Sequence, residues 1–199
     1  MKKIGVLCAL LFMLPSFAGG DIAAGSEKNA TCVACHGSNG NSTNPIWPNL
    51  AGQHASYIFK QLQDFKAGKT RNDPSMTGMV APLSEQDMQD LAAYYASLSI
   101  AEGSTPKEYL ERGERLYRGG DFKAGVTACI ACHGPNGMGN AQARFPMLSG
   151  QHAQYTIQQL EAFKAGKRSN DLNGIMQGIA SRMSKEDMEA VAYYIQGLH

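Results

Sequence analysis

Apolar residues three and four apart recur along this chain, and no stretch alternates apolar and polar positions as a half-buried strand would. Between Ala55 and Lys66, Tyr57, Leu62 and Phe65 fall at roughly helical spacing, with Gly68 following as a terminator. The same signal returns from Ala153 to Lys164, ahead of Gly166. A later helix is predicted from Ser84 to about Leu98, opened by Ser84 and Asp87 as a variant capping box. Ser184 and Asp187 open a matching segment that runs to Leu198. Helical patterning also covers Asp21 to about Cys35, and Pro106 or Lys107 to about Cys132, the latter interrupted near Gly119-Gly120. The expected class is all-α.

The matching segments are parts of an internal duplication. Gly52-Gln53-His54-Ala55 recurs as Gly150-Gln151-His152-Ala153, and Lys66-Ala67-Gly68-Lys69 as Lys164-Ala165-Gly166-Lys167. Tyr57, Gln61, Leu62 and Phe65 recur as Tyr155, Gln159, Leu160 and Phe163. Ala93-Tyr94-Tyr95 matches Ala192-Tyr193-Tyr194. Two tandem domains are expected, 19–103 and 104–199, joined by a linker around Ser97–Lys107 that carries Gly103, Ser104 and Pro106. The linker is short, so the domains should touch. Domains this small have marginal cores of their own.

The first 18 residues read as a cleaved secretory signal. Lys2 and Lys3 precede an apolar run, Ile4 to Phe17, and Ser16-Phe17-Ala18 offers small residues for cleavage after Ala18. That run is shorter than the ~20 residues a membrane-spanning helix needs. Cys8 leaves with it, and bulky Val6 and Leu7 argue against a lipoprotein site. The net charge of +1 hides an asymmetry: residues 19–105 carry five Lys/Arg against eight Asp/Glu, and residues 106–199 eleven against nine. Opposite signs on the two halves suit docking to different partners. The basic residues are dispersed, without interleaved aromatics, so no nucleic-acid partner is expected.

The four remaining cysteines sit in Cys32-Val33-Ala34-Cys35-His36 and Cys129-Ile130-Ala131-Cys132-His133. C-x-x-C-H is the attachment signature of c-type haem. Its two thiols add to the haem vinyl groups as thioethers, and its histidine becomes the proximal iron ligand. Two covalently bound haem c groups are expected, on Cys32/Cys35 with His36 and on Cys129/Cys132 with His133. Covalent haem would supply the apolar filling that the small domains lack.

The sixth iron position decides between electron transfer and ligand chemistry. Among ten methionines, the repeat aligns Met76-Thr77-Gly78 with Met176-Gln177-Gly178, in the loop before each last helix. Met76 and Met176 are therefore the expected distal ligands. Met79 aligns with Ile179 and Met183 with Leu83, so these two read as core filling, as do the helical Met88 and Met188. His54 and His152 open the middle helices, where a polar cap or surface role is expected, and His199 belongs to the surface. Pro48 and Pro146 read as loop stops whose carbonyls could accept the free N–H of each proximal histidine. Trp47 and Phe145, just before them, are expected against the haems.

Together these features resemble the cytochrome c4 family of periplasmic dihaem proteins, over the whole mature chain. The resemblance rests on the paired C-x-x-C-H motifs, the Gly-Gln-His repeats, Gln61-Leu62-x-x-Phe65-Lys66-Ala67-Gly68, Met76-Thr77-Gly78-Met79 and the ending Tyr194-Ile195-Gln196-Gly197-Leu198-His199. It implies two class I cytochrome c domains about a pseudo-twofold axis, with haem propionate edges facing each other. It also implies His/Met iron in both halves, Pro48 and Pro146 as histidine partners, and at most peripheral membrane association.

The function expected from this resemblance is periplasmic electron transfer without catalysis. Its redox partners would be a terminal oxidase such as the cbb3 type, and an upstream quinol-oxidising complex or other donor. One competing reading is an enzyme, such as a dihaem peroxidase or a thiosulfate-oxidising cytochrome. That reading needs an exchangeable iron position, against which the paired methionines argue. Another is a haem subunit of a larger redox complex, with the same electron-transfer chemistry.

Overall fold

The computed structural model describes residues 19–199; the expected signal segment and Cys8 lie outside the described residues. Among the described residues, ten α-helices fall in two similar sets. The first half holds α1 (Ile22–Lys28), α2 (Val33–His36), α3 (Ala55–Ala67), α4 (Pro74–Val80) and α5 (Glu85–Ser97). The second holds α6 (Lys107–Gly119), α7 (Ile130–His133), α8 (Ala153–Lys164), α9 (Ile175–Ala180) and α10 (Lys185–Gln196). In each half the last helix is the centre: α1 and α3 pack on α5, and α6 and α8 pack on α10. Pairings of extended backbone among the described residues are confined to isolated bridges, one of them joining Arg71 to Arg168 across the halves.

Local chemistry accounts for the helix limits. Ser84 and Ser184 each accept the N–H of Asp87 or Asp187 at 3.1 Å, and each carboxylate accepts the serine N–H in return. Both capping boxes form as the sequence predicts. The aspartates also bind back to the first helix of their own half: Lys28 reaches Asp87 at 2.6 Å and Arg112 reaches Asp187 at 2.7 Å. Helix α3 ends on Gly68 in the left-handed conformation (φ 64°), which glycine adopts at no steric cost.

The first and last helices of each half touch through glycine. A Cβ on Gly25 would stand 2.1 Å from the Asp90 carbonyl oxygen, and one on Gly113 would stand 2.4 Å from that of Ala190. A larger residue at either crossing would force the backbones apart.

Two expectations change. The segment leading to the second C-x-x-C-H motif is not one interrupted helix: α6 ends at Gly119, and α7 begins only at Ile130. Between them lies a loop in which Phe122 is fully exposed. Gly120 adopts φ 71°, and Asp121 turns the chain by accepting the N–H groups of Lys123 and Ala124. Met76 and Met176, expected in loops, lie instead in the short helices α4 and α9. Asp73 caps α4 by accepting the Met76 N–H at 3.0 Å, and Pro74 provides a pre-set first helical residue. Helix α9 starts after left-handed Gly174, with Asp171 accepting the Gln177 N–H at 3.0 Å.

Candidate haem sites

Each C-x-x-C-H motif is wound into a single helical turn. Cys35 N–H reaches Cys32 O at 3.2 Å and His36 N–H reaches the same oxygen at 3.0 Å; the Cys132 and His133 amides repeat this on Cys129 O at 3.2 and 2.9 Å. Residues three apart share a helix face, so each pair of thiols points the same way. All four sulfurs are free of disulfides. In the chain without haem, burial pushes the Cys129 thiol up to about 11, which keeps it a neutral S–H at neutral pH.

His36 and His133 are buried. Their Nδ1 atoms lie 2.9 Å from the carbonyl oxygens of Pro48 and Pro146. A carbonyl only accepts, so Nδ1 carries the proton and Nε2 presents a lone pair. Burial lowers the pKa of both rings below the ordinary histidine value, and the proline carbonyls offset only part of this. The rings are neutral imidazoles, the form that binds a metal. Phe145 stands beside His133, ring centroids 6.4 Å apart, while Trp47 is partly exposed. The Tyr117 hydroxyl donates to Gly134 O at 2.7 Å, fixing the exit from α7.

Among the described residues, no group of three or more His, Cys, Asp and Glu side chains could hold a bare metal ion. One free imidazole and two same-facing thiols per half instead fit an iron that arrives with its own equatorial nitrogens and vinyl groups. Met176 is half-buried and packs with Ile179 and Cys129 against the second core; Met76 is half-buried in the corresponding helix. Met183, Met88 and Met188 are buried, as core filling requires, whereas Met79 is exposed.

The Cytochrome c family model matches residues 22–99 and again 110–199. The chain is 48% identical to cytochrome c4 of Stutzerimonas stutzeri, covering 98% of this chain and 99% of the relative.

The chain belongs to the cytochrome c4 family.

Its fold also matches the crystal structure of reduced recombinant cytochrome c4 from Pseudomonas stutzeri, with TM-score 0.88 and 49% identity, over 90% of this chain and 100% of that one. A further relative, 38% identical over 96% of this chain and 88% of its own length, is the thiosulfate dehydrogenase electron acceptor of Thiomonas intermedia. As a member of this family, the chain has two tandem cytochrome c domains, carries two covalent haem c groups and transfers electrons.

Sequence reasoning missed the residues that join the two domains of this chain. Gln53 and Gln151 are buried and reach across. Gln53 accepts the Met147 N–H and donates to Met147 O, both at 2.9 Å. Gln151 does the same with Asn49, again at 2.9 Å. His54 and His152 cap no helix with their side chains. Their Nε2 atoms instead bind Met138 O at 2.8 Å and Ser42 O at 2.9 Å, in the opposite domain. Two buried arginines complete the seam: Arg71 donates to the Tyr155 hydroxyl at 2.7 Å and Arg168 to the Tyr57 hydroxyl at 2.8 Å. Each guanidinium also lies over a phenylalanine of its own half, Phe65 or Phe163. The only signal was that Gln-His, the Tyr/Gln positions and their spacing occur twice.

Proposed function

We propose that the chain is a two-electron-capacity periplasmic shuttle whose two irons are both closed by His/Met ligation. In this reading residues 1–18 are a cleaved export signal, and domains 19–103 and 104–199 each bind one haem. Cys32 and Cys35 hold the first and Cys129 and Cys132 the second. His36 and Met76 would hold one iron, and His133 and Met176 the other. The observation that carries it is the Nδ1 bond to Pro48 or Pro146, which turns one neutral Nε2 lone pair out of each C-x-x-C-H turn. When bound, the haem iron would supply the one-electron Fe(III)/Fe(II) couple, and a methionine thioether among its ligands would favour Fe(II). The chain's own residues fix the imidazole, exclude water and keep substrate from the iron. The protein then does no catalysis itself.

The proposed route runs from an upstream donor, such as a quinol-oxidising complex, to a terminal oxidase such as the cbb3 type, with at most peripheral contact with the membrane. Among the described residues no helix is long and apolar enough to cross a membrane. The relative named for accepting electrons from thiosulfate dehydrogenase supports a second reading of the donor, a sulfur-oxidising enzyme.

Absorption spectra of the mature holoprotein, with and without carbon monoxide, test the closed-iron reading. The far-red band of thioether-ligated ferric haem should appear at two-haem intensity, and carbon monoxide should leave the reduced spectrum unchanged. Met76→Ala and Met176→Ala should each halve the band, open one iron to carbon monoxide and lower that haem's potential by on the order of 0.1 V, a fraction of the range that axial ligands command. Carbon monoxide binding to the unsubstituted protein would overturn the reading in favour of an enzyme.

A further inference from the structure

The bond from each proximal histidine does not end at proline. Pro146 C=O and Met147 N–H belong to one peptide unit. Its oxygen accepts from His133 Nδ1 at 2.9 Å, and its N–H donates to Gln53 Oε1 at 2.9 Å. A continuous chain of hydrogen bonds therefore runs His133, Pro146–Met147, Gln53, and it crosses from the second half to the first. The first half carries the mirror chain: His36 to Pro48 O at 2.9 Å, then Asn49 N–H to Gln151 Oε1 at 2.9 Å.

All the glutamine atoms involved are committed. Each glutamine Nε2 donates to the carbonyl of the same residue whose N–H it accepts, Met147 or Asn49, at 2.9 Å. Each Oε1 also accepts a second bond, from the N–H of the following histidine, at 3.0 Å. Gln53, Gln151, Asn49 and Met147 are all buried, so water does not compete for these groups.

An amide whose N–H donates has a more electron-rich carbonyl, and bonds in such a chain strengthen one another by ~10–30% each. A stronger acceptor at Nδ1 makes the ring a better donor at Nε2. A more basic imidazole stabilises ferric iron over ferrous iron, which lowers the reduction potential.

We infer that Gln53 and Gln151 are crossed positioning residues, each setting the donor strength of the iron-ligating histidine in the opposite half and hence the potential of the opposite haem. Gln53 acts on His133 and Gln151 on His36. This rests on the proposed reading of His36 and His133 as iron ligands.

The test uses the full-length holoprotein with Gln53→Leu and Gln151→Leu. The two haem potentials are followed separately by the haem methyl resonances during a redox titration. Gln53→Leu should raise the Fe(II)/Fe(III) equilibrium constant of the haem on Cys129/Cys132 about threefold, ~28 mV at 59 mV per decade for one electron. The haem on Cys32/Cys35 should move much less. Gln151→Leu should give the reverse pattern. In the reduced protein the Nδ1–H proton of the opposite histidine should shift upfield as its bond weakens.

A merely structural role for the seam would move both haems together or neither, and either result overturns the inference. So does a shift confined to the glutamine's own half. If the leucine variants do not fold, Gln53→Glu keeps an acceptor for the Met147 N–H while losing the donor to its carbonyl. It should leave the potential of the Cys129/Cys132 haem at or below the original value; a rise overturns the inference. Failure of the ligand reading is separately visible. If His36 or His133 is not axial, its ring protons will lack the large ring-current displacement in the unsubstituted reduced protein.

Discussion

The two halves share one plan but not one core. In the second, Leu116, Tyr117, Val126, Leu160, Phe163, Ala180, Met183, Met188, Val191, Tyr194, Ile195 and Leu198 form one continuous buried cluster. In the first, the corresponding cluster is Ile58, Leu91, Ala92 and Tyr95, ringed by partly buried neighbours that include Cys32, Leu50 and Leu62. Phe65, Val80 and Met88 of the first half are buried but stand outside that cluster. The first helices also differ among the described residues: α1 spans 7 residues and α6 spans 13. A half with a dispersed core depends more on its prosthetic group to join the pieces.

The sharpest way to break this comparison is to deny each half its haem in turn. The double substitution Cys32→Ala/Cys35→Ala should cost the first half its whole marginal stability, about 5 kcal/mol. Amide hydrogen exchange should then show α1, α3 and α5 unprotected. Cys129→Ala/Cys132→Ala should leave α6 and α10 measurably protected, because Leu116 and Tyr117 still pack with Val191 and Ile195. Equal loss of protection in both halves would end the comparison.

Smaller effects test where the halves are alike. Gly25→Ala and Gly113→Ala push a methyl group into a backbone carbonyl, and overpacking of this kind costs about 1–3 kcal/mol. Denaturant melts of the holoprotein should show losses for both, since both helix crossings bring a backbone carbonyl within 2.4 Å of the added Cβ.

The smallest effect is electrostatic. The bond from Lys28, with those from Ser84, holds the Asp87 carboxyl down to about 2. Burial raises Asp187, but Arg112 and Ser184 outweigh it and the net shift is also downward. A carboxylate whose folded pKa is depressed contributes stability above its unfolded value near 3.8, and that contribution is lost as pH falls through the folded pKa. Acid titration should thus leave the Asp87 contribution intact above about pH 4 and remove it by about pH 2. Lys28→Met should flatten that portion of the curve, and added salt should weaken it.

These contrasts also show what the residues disclose alone. Helix α8 lies over Ala153–Lys164 as its periodicity predicts, and both capping boxes form, because those signals are local. The short α4 carried a signature in Asp73-Pro74, but seven residues are too few for periodicity to register. Gly25 and Gly113 were hidden for another reason. One stands seven residues before its C-x-x-C-H motif and the other sixteen, so the long loop of the second half conceals their equivalence. Gln53 and Gln151 drew no role of their own from the sequence, because their partners lie 94 and 102 residues away. Polar side chains in a duplicated motif are ambiguous until the fold brings the copies face to face.

The reciprocal seam has a historical consequence. Gln53 on Met147 and Gln151 on Asn49 is the pattern of an isologous contact, in which the same patch meets itself across a twofold axis. Such a seam is what two identical subunits would form. Joining them in one chain through residues 98–106 turns a concentration-dependent association into an intramolecular one, with an effective concentration in the millimolar range or above for so short a tether. The symmetry then no longer has to be kept. Asn49 acquires a side-chain bond to Gly150 O at 3.0 Å that Met147, its counterpart, has no group to make. A symmetric pair must change both copies at every substitution. A fused pair can change one, and so give two carriers different driving forces within a single molecule.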